Sequence, residues 1–257
     1  MTRLILGIWG LAALAIAVVY GLVLFATLEA ADELFYEMTS LYDEAHEFLP
    51  VDPGAFPLVP REGYDAVGDE LAALGFVHLG SMEDRTVSDV LPEMRTYLDV
   101  YVNDSGDVFC ATYRIQTPQY DQQIVEFESQ FDDGTFLATT NSIAAGWMAA
   151  GPEIDTEITE YFTTEQLSMR HSERVEKRGE PTRTVRSLED VLVAQSAFNA
   201  FEMQHRRSVG YLTYDELVAM SGQDAGSVYL PGTLQVLHWI FNRRVDKRRA
   251  PEGASRR

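Results

Sequence analysis

IVEFESQFDDGTFLATTN, residues 124–141, decides the fold, because it alternates on both sides of a turn. Val125, Phe127, Ser129 and Phe131 fall on one side of an extended chain and Glu126, Glu128 and Gln130 on the other, while Phe136, Ala138 and Thr140 share a face after the turn. Asp133 followed by Gly134 between two such runs is a strong hairpin signal, and it predicts a two-residue turn with positive φ at both positions. That turn accounts for the adjacent carboxylates, the glycine and the hydroxyls without any chemistry.

Reading outward, EMRTYLDVYV (residues 93–102) places Met94, Thr96, Leu98, Val100 and Val102 in alternation, NDSGD turns the chain, and VFCATYRI (108–115) groups Phe109, Ala111, Tyr113 and Ile115. A second hairpin follows from this. FVHLGSM (76–82) reads as the first strand, after a short helix over residues 64–74 that stops at Gly75. The final third is helical. Thr163 with Gln166 and Thr213 with Glu216 fit capping boxes, and Ser187 with Asp190 is a shorter-armed version. From Ser187 on, Leu188, Val191, Leu192, Phe198 and Phe201 give a helix with a continuous apolar side. There is no internal repeat.

LILGIWGLAALAIAVVYGLVLFATL, residues 4–28, carries no charge over 25 positions. As a helix it would reach about 37 Å against about 30 Å of hydrocarbon, and it is longer than the apolar part of a cleaved signal peptide. The expectation is an uncleaved single-pass anchor in contact with membrane lipid. Arg3 before it and EAADE after it put the amino terminus in the cytoplasm and the bulk of the chain outside, at a bacterial envelope. Ala13, Ala17 and Gly21 recur every fourth residue, a small-residue stripe suited to self-association. Leu34, Phe35, Met38, Leu41, Tyr42 and Phe48 extend the helical pattern as an amphipathic stalk reaching into solvent, stopped at Pro50, and VDPGAFPLVPREG follows as a stiff linker.

The fold class expected is therefore α+β, an antiparallel β-sheet packed by helices and preceded by one N-terminal transmembrane helix. The expected division is 1–28 anchor, 29–63 stalk and Pro-rich linker, 64–162 sheet domain, 163–230 helical part, and 231–257 C-terminal helix and basic tail.

Of 257 residues, 46% are hydrophobic, enough to close one sizeable core or two small ones. The net charge of −20 is unevenly placed: residues 29–169 hold 29 acids and 4 bases, so this part repels nucleic acid. Cys110 is the single cysteine, which excludes an intrachain disulfide and a cysteine zinc site. TLQVLHWIF (233–241), with Trp239, precedes seven arginines and lysines. Three readings stand: a closing core helix with a solvated tail, a helix lying on an anionic membrane surface, and a tail that pairs with the acidic domain.

No Gly-rich phosphate loop, serine nucleophile elbow or helical zinc-protease spacing occurs, and no cofactor is implied. His46, His78, His171, His205 and His238 lie far apart. His171 sits four residues from both Leu167 and Val175 on the apolar side of a helix, where an imidazole needs a partner; a structural hydrogen bond is the expectation, catalysis the alternative. Glu126 and Glu128 point to one face about 7 Å apart and, with Asp132 or Asp133, form a candidate for a hard cation such as calcium, although acid pairs arise by chance in so acidic a chain and no metal site is assigned.

LAALGFVHLG, then VEFESQFDDGTFLATTN, then the helix with His171 resemble in order and spacing a set of uncharacterised bacterial membrane-anchored proteins with an LGF, DG and TTN pattern. The resemblance spans residues 64–178 and implies a shared domain without an activity or a site. The function expected is a membrane-anchored binding or scaffolding module, with a protein partner possible. The alternative is an anchored hydrolase using Glu126, Glu128 or His171, which requires these residues to converge on one concave pocket.

Overall fold

In the computed structural model, which describes residues 2–116, 121–143, 148, 150–179, 182–223 and 233–249, with side chains from residue 18 onward apart from 222 and 223, the two alternating runs are neighbouring antiparallel strands. These are β5 (Asp121–Gln130) and β6 (Phe136–Thr140), with Glu126 opposite Thr140 and Glu128 opposite Ala138. The turn between them differs from the two-residue expectation. The Gly134 N–H donates to the Phe131 carbonyl and the Phe131 N–H to the Thr135 carbonyl, so the loop holds three residues. Only Gly134 has a positive φ, 90°, while the Asp133 carboxylate accepts from the Thr135 N–H and hydroxyl. One left-handed glycine closing a bulge satisfies the strand twist as well as two positive-φ residues do.

Five further strands complete one sheet in chain order: β1 (Phe48–Pro50), β2 (Val77–Asp84), β3 (Leu98–Val102) and β4 (Phe109–Gln116) before β5, and β7 (Ile154–Ile158) beyond β6. Pairings from β1 to β6 are antiparallel, but β7 lies parallel to β6, so the sheet is mixed rather than antiparallel throughout. A parallel neighbour cannot be reached by a tight turn, and residues 141–153 supply the longer return.

Helices cover both faces. α2 (Glu62–Ala73) and α4 (Thr164–Arg178) bury Leu71 and Leu167 against Cys110, Val125 and Phe127. On the opposite face α5 (Leu188–Val209) brings Val191, Ala194 and Phe198 onto Val100, Phe109 and Phe136. All three expected capping boxes form: Thr163 with Gln166, Ser187 with Asp190, and Thr213 with Glu216 at the start of α6 (Tyr214–Gln223). Short α3 (Arg85–Val90) is N-capped by Asp84.

The first helix, α1 (Thr2–Tyr42), and the last, α7 (Thr233–Arg249), pack together. Ala31, Met38 and Leu41 are buried with Leu217, Leu237 and Phe241, and Asp32 and Asp43 pair with Arg244 and Arg248. Residues 30–42 therefore close a helical core and do not form a stalk standing in solvent. An apolar stripe on α1 meets its complement on α7, which the sequence places two hundred residues away. The helix ends at Tyr42, well before Pro50, and Phe48 belongs to β1. The linker is likewise tied down, since Asp52 caps a 3-10 turn at Pro53–Ala55 and Phe56 packs on Tyr97. α7 buries Leu237, Ile240, Phe241 and Val245, as a closing core helix should, and leaves Trp239 exposed under Arg243. Residues 250–257 of the basic tail lie outside the described residues.

Among the described residues no helix is long and apolar enough to cross a membrane. The side chains of residues 4–17 of the expected span, Ala13 and Ala17 included, lie outside the described set. In the remainder, Val18, Val19, Tyr20, Leu22, Leu24 and Phe25 are each more than half exposed.

Candidate functional site

The even-numbered side of β5 does not close onto α5 along its whole length. Phe136 and Phe109 meet the helix, but farther along the sheet a cavity of about 810 Å³ opens between the strands and α5. Its walls are largely apolar, with Leu98, Ala111, Ile154 and Phe198 among them. Glu126 and Glu128 enter it from β5, as strand alternation requires, and Glu202 enters it from α5.

Gln195, Asn199 and Glu202 stand four and then three residues apart, one line along α5 turned toward the sheet. The Gln195 amide donates to both Glu128 oxygens, at 2.8 and 3.0 Å. Tyr113 on β4 donates to Glu126 at 3.4 Å. At the rim, the loop after α1 brings in His46, whose Nδ1 lies 2.6 Å from Asp84 and whose Nε2 lies 2.7 Å from the Leu41 carbonyl. Both neighbours are acceptors, so the ring donates twice and is held as imidazolium. Burial opposes that charge, but the hydrogen bond and charge of Asp84 outweigh it and the His46 pKa is raised.

The carboxyls shift upward together. Burial pushes Glu126 up to about 7 against the Tyr113 hydrogen bond. Glu202 also reaches about 7, through burial first, with His46 and Arg206 pulling it down and Glu126 pushing it up. Burial and the neighbouring Glu126 charge raise Glu128 well above the usual carboxylate range, and the Gln195 bond only partly offsets them. Glu126 and Glu202 show moderate solvent-accessible surface only because they line the cavity. No lysine or arginine lines it among the described residues, and Arg206 is engaged by Glu216 at 2.8 Å.

One amide stands apart. Asn199 is 3% exposed; its Oδ1 accepts from the His46 backbone N–H at 3.0 Å, which fixes the side-chain orientation, and its Nδ2 has no hydrogen-bond partner among the described residues. A buried donor left unpaired beside a cavity costs free energy that a ligand oxygen would recover.

His171 is not in this site. It lies on the α4 side of the sheet, fully buried, with Nε2 3.0 Å from Ser129 Oγ and Nδ1 3.0 Å from Thr139 Oγ1. The Ser129 hydroxyl hydrogen is given to the Asp107 carbonyl, so His171 Nε2 donates and Nδ1 accepts from Thr139. Burial, then Arg174, lowers its pKa to about 3. A neutral imidazole with both nitrogens satisfied holds helix to sheet, as the structural expectation had it, and the hydrolase alternative loses this residue because β5 side chains alternate. Asp133 is exposed at the turn, 3.6 Å from Arg178, and Asp132 is exposed beside it, so neither joins Glu126 and Glu128 to hold a cation. Among the described residues no group of three or more His, Cys, Asp or Glu has the arrangement of a metal site.

The structure thus joins Glu126 and Glu128 and adds Glu202, Asn199, Gln195 and the His46–Asp84 pair, which sequence reasoning had not nominated. The available signal was the polar line at 195, 199 and 202 running between the apolar residues 191–203 of α5. No family model, no curated protein and no solved structure matches the chain.

Proposed function

We propose that the chain is a single-pass membrane-anchored protein whose α+β domain, held outside the cytoplasm, binds a small and largely apolar ligand in the cavity between β5 and α5. The observation that carries this reading is the convergence of Glu126, Glu128 and Glu202 on one apolar-walled cavity of about 810 Å³, a size suited to a small molecule. The anchor rests on the uncharged run of residues 4–28 and on the exposed apolar side chains of residues 18–25, which need an apolar surrounding. The shared domain implied by the resemblance over residues 64–178 would contain β5, and so Glu126 and Glu128, but not α5.

Two measurements test the two halves. Carbonate extraction should leave the full-length chain in the membrane fraction, and release into the supernatant would remove the anchor. Ligand-observed NMR with a library of uncharged, cationic and anionic fragments should give binders that Ala150→Trp, which fills the cavity, displaces at least tenfold. Binders unaffected by that substitution, or no binder of any charge, would remove the ligand site.

A second reading, an anchored hydrolase, is favoured by Glu126, whose pKa of about 7 suits a general base or acid near neutrality. It keeps Glu126 and Glu128 and loses His171. It predicts turnover of a bound ligand that Glu126→Gln abolishes; a ligand recovered chemically unchanged after long incubation removes it.

A further inference from the structure

We infer that the cavity between β5 and α5 takes an organic ammonium ion, its cationic nitrogen among Glu126, Glu128 and Glu202 and an oxygen of the same molecule accepting from the Asn199 amide. This rests on the ligand-binding reading above and names its chemical class.

Three observations select this class over a neutral or an anionic ligand. First, four carboxylates line the cavity, counting Asp84, and no lysine or arginine does so among the described residues. His46 is committed to Asp84, and Arg206 faces Glu216. An anion would enter a field of its own sign, whereas a cation would supply the missing counter-charge. Second, the rings of Tyr42, Phe48, Tyr113 and Phe198 also line the space, and aromatic faces attract a desolvated ammonium group. Third, the Asn199 Nδ2 is buried without a partner among the described residues, while its Oδ1 is fixed on the His46 N–H. That donor is independent of the acids and calls for an acceptor, which an ammonium group does not have. A hydroxyl, ether or carbonyl oxygen elsewhere on the ligand fits it.

Binding should then be coupled to protons. The groups facing the acids are Tyr42 from α1, Tyr113 from β4, Gln195, Asn199 and His205 from α5, Arg206 behind Glu202, and the His46–Asp84 pair at the rim. Of these, the Arg206 guanidinium is paired with Glu216 and the His46 ring with Asp84. Burial leaves Glu126 and Glu202 partly protonated near neutrality, and an arriving cation favours their ionised forms. Ammonium binding near pH 7 releases protons to buffer; a neutral ligand of the same shape does not.

The test is titration calorimetry of the full chain in non-ionic detergent with a matched set: 4-phenylbutylamine, 4-phenylbutan-1-ol, 4-phenylbutanoate and 1-amino-4-phenylbutan-2-ol. The amine should bind at least tenfold tighter than the alcohol, with the carboxylate weakest. Its apparent enthalpy should change between buffers of different ionisation enthalpy, in the sense of proton release. The amino alcohol should exceed the amine, and Asn199→Ala should erase that advantage. Glu126→Gln with Glu202→Gln should cost the amine at least tenfold and remove its margin over the alcohol. An alcohol bound as tightly as the amine, a preferred carboxylate, or an amine bound without proton release overturns the inference and leaves the cavity reading standing. Failure of all four probes to bind overturns both.

Discussion

The two faces of the sheet bury polar groups in opposite ways. On the α4 face His171 satisfies both ring nitrogens, and Arg174 is bonded to the Ala138 carbonyl, to Thr139 Oγ1 at 2.7 Å, to the Asp155 carbonyl and carboxylate at 2.9 Å, and to Glu157 at 3.4 Å. On the α5 face Glu126, Glu128 and Glu202 gather without a described arginine or lysine partner, beside an amide with an orphaned donor and an open volume. Equal burial thus means different things. Closed networks hold elements in register; open ones store unsatisfied interactions that a ligand can complete.

The largest expected effect is on the closed side. Arg174 bridges the β6 and β7 backbones where the two strands run parallel, so Arg174→Ala should leave two carbonyls and a buried hydroxyl short of donors. A loss of about 2–3 kcal/mol in urea unfolding is expected, on the scale of a broken buried charge network. Ligand binding in the α5 cavity should be unaffected. A loss below about 1 kcal/mol would mean that the α4 network is as dispensable as the open face.

The second effect separates the faces by the sign of their pH dependence. His171 has a folded pKa of about 3 against about 6.5 for a free imidazole, so its contribution is intact above pH 6.5 and is lost as the pH falls toward 3. Glu126 and Glu202 have folded pKa values near 7 against about 4.5, so their contribution is full below pH 4.5 and lost as the pH rises past 7. Replacing both by glutamine should stabilise the protein by about 1–2 kcal/mol at pH 8, discounting for the water that reaches a cavity wall, and by nothing measurable at pH 4.5. His171→Leu should instead flatten the profile between pH 6.5 and 3. Denaturant midpoints at pH 8, 6 and 4.5 decide it, and a glutamine variant that is destabilised at pH 8 would show the acids to be structural.

How much of this was readable beforehand follows from the range of each interaction. The strands that became β3 to β6 alternate over five or more residues, and the caps at Thr163, Ser187 and Thr213 are local hydrogen bonds, so both were legible. β1 has three residues and ends in proline; β7 joins through a parallel pairing that no turn announces. The docking of residues 30–42 on α7 depends on a partner near the other end of the chain. Glu126 and Glu128 could be placed on one face from alternation, but the depth of that face depends on where α5 stands off the sheet. Glu202 and Asn199 were hidden for the same reason, as polar residues on a helix read for its apolar side.

The smallest effect is the sharpest test of the contrast, because it compares one amide with one hydroxyl. Ser129 on the closed face bridges His171 to the Asp107 carbonyl, so Ser129→Ala leaves a buried carbonyl and a ring N–H unpaired and should cost about 1.5 kcal/mol. Asn199→Ala loses one bond to the His46 N–H but also removes a donor that has no partner among the described residues, and the two changes oppose each other. A net change under about 1 kcal/mol is expected, smaller than at Ser129 despite the larger side chain removed. Thermal unfolding of the two variants at pH 7 gives the order directly. If Asn199→Ala proves the more damaging, its amide is bonded in solution, and the open face is closed after all.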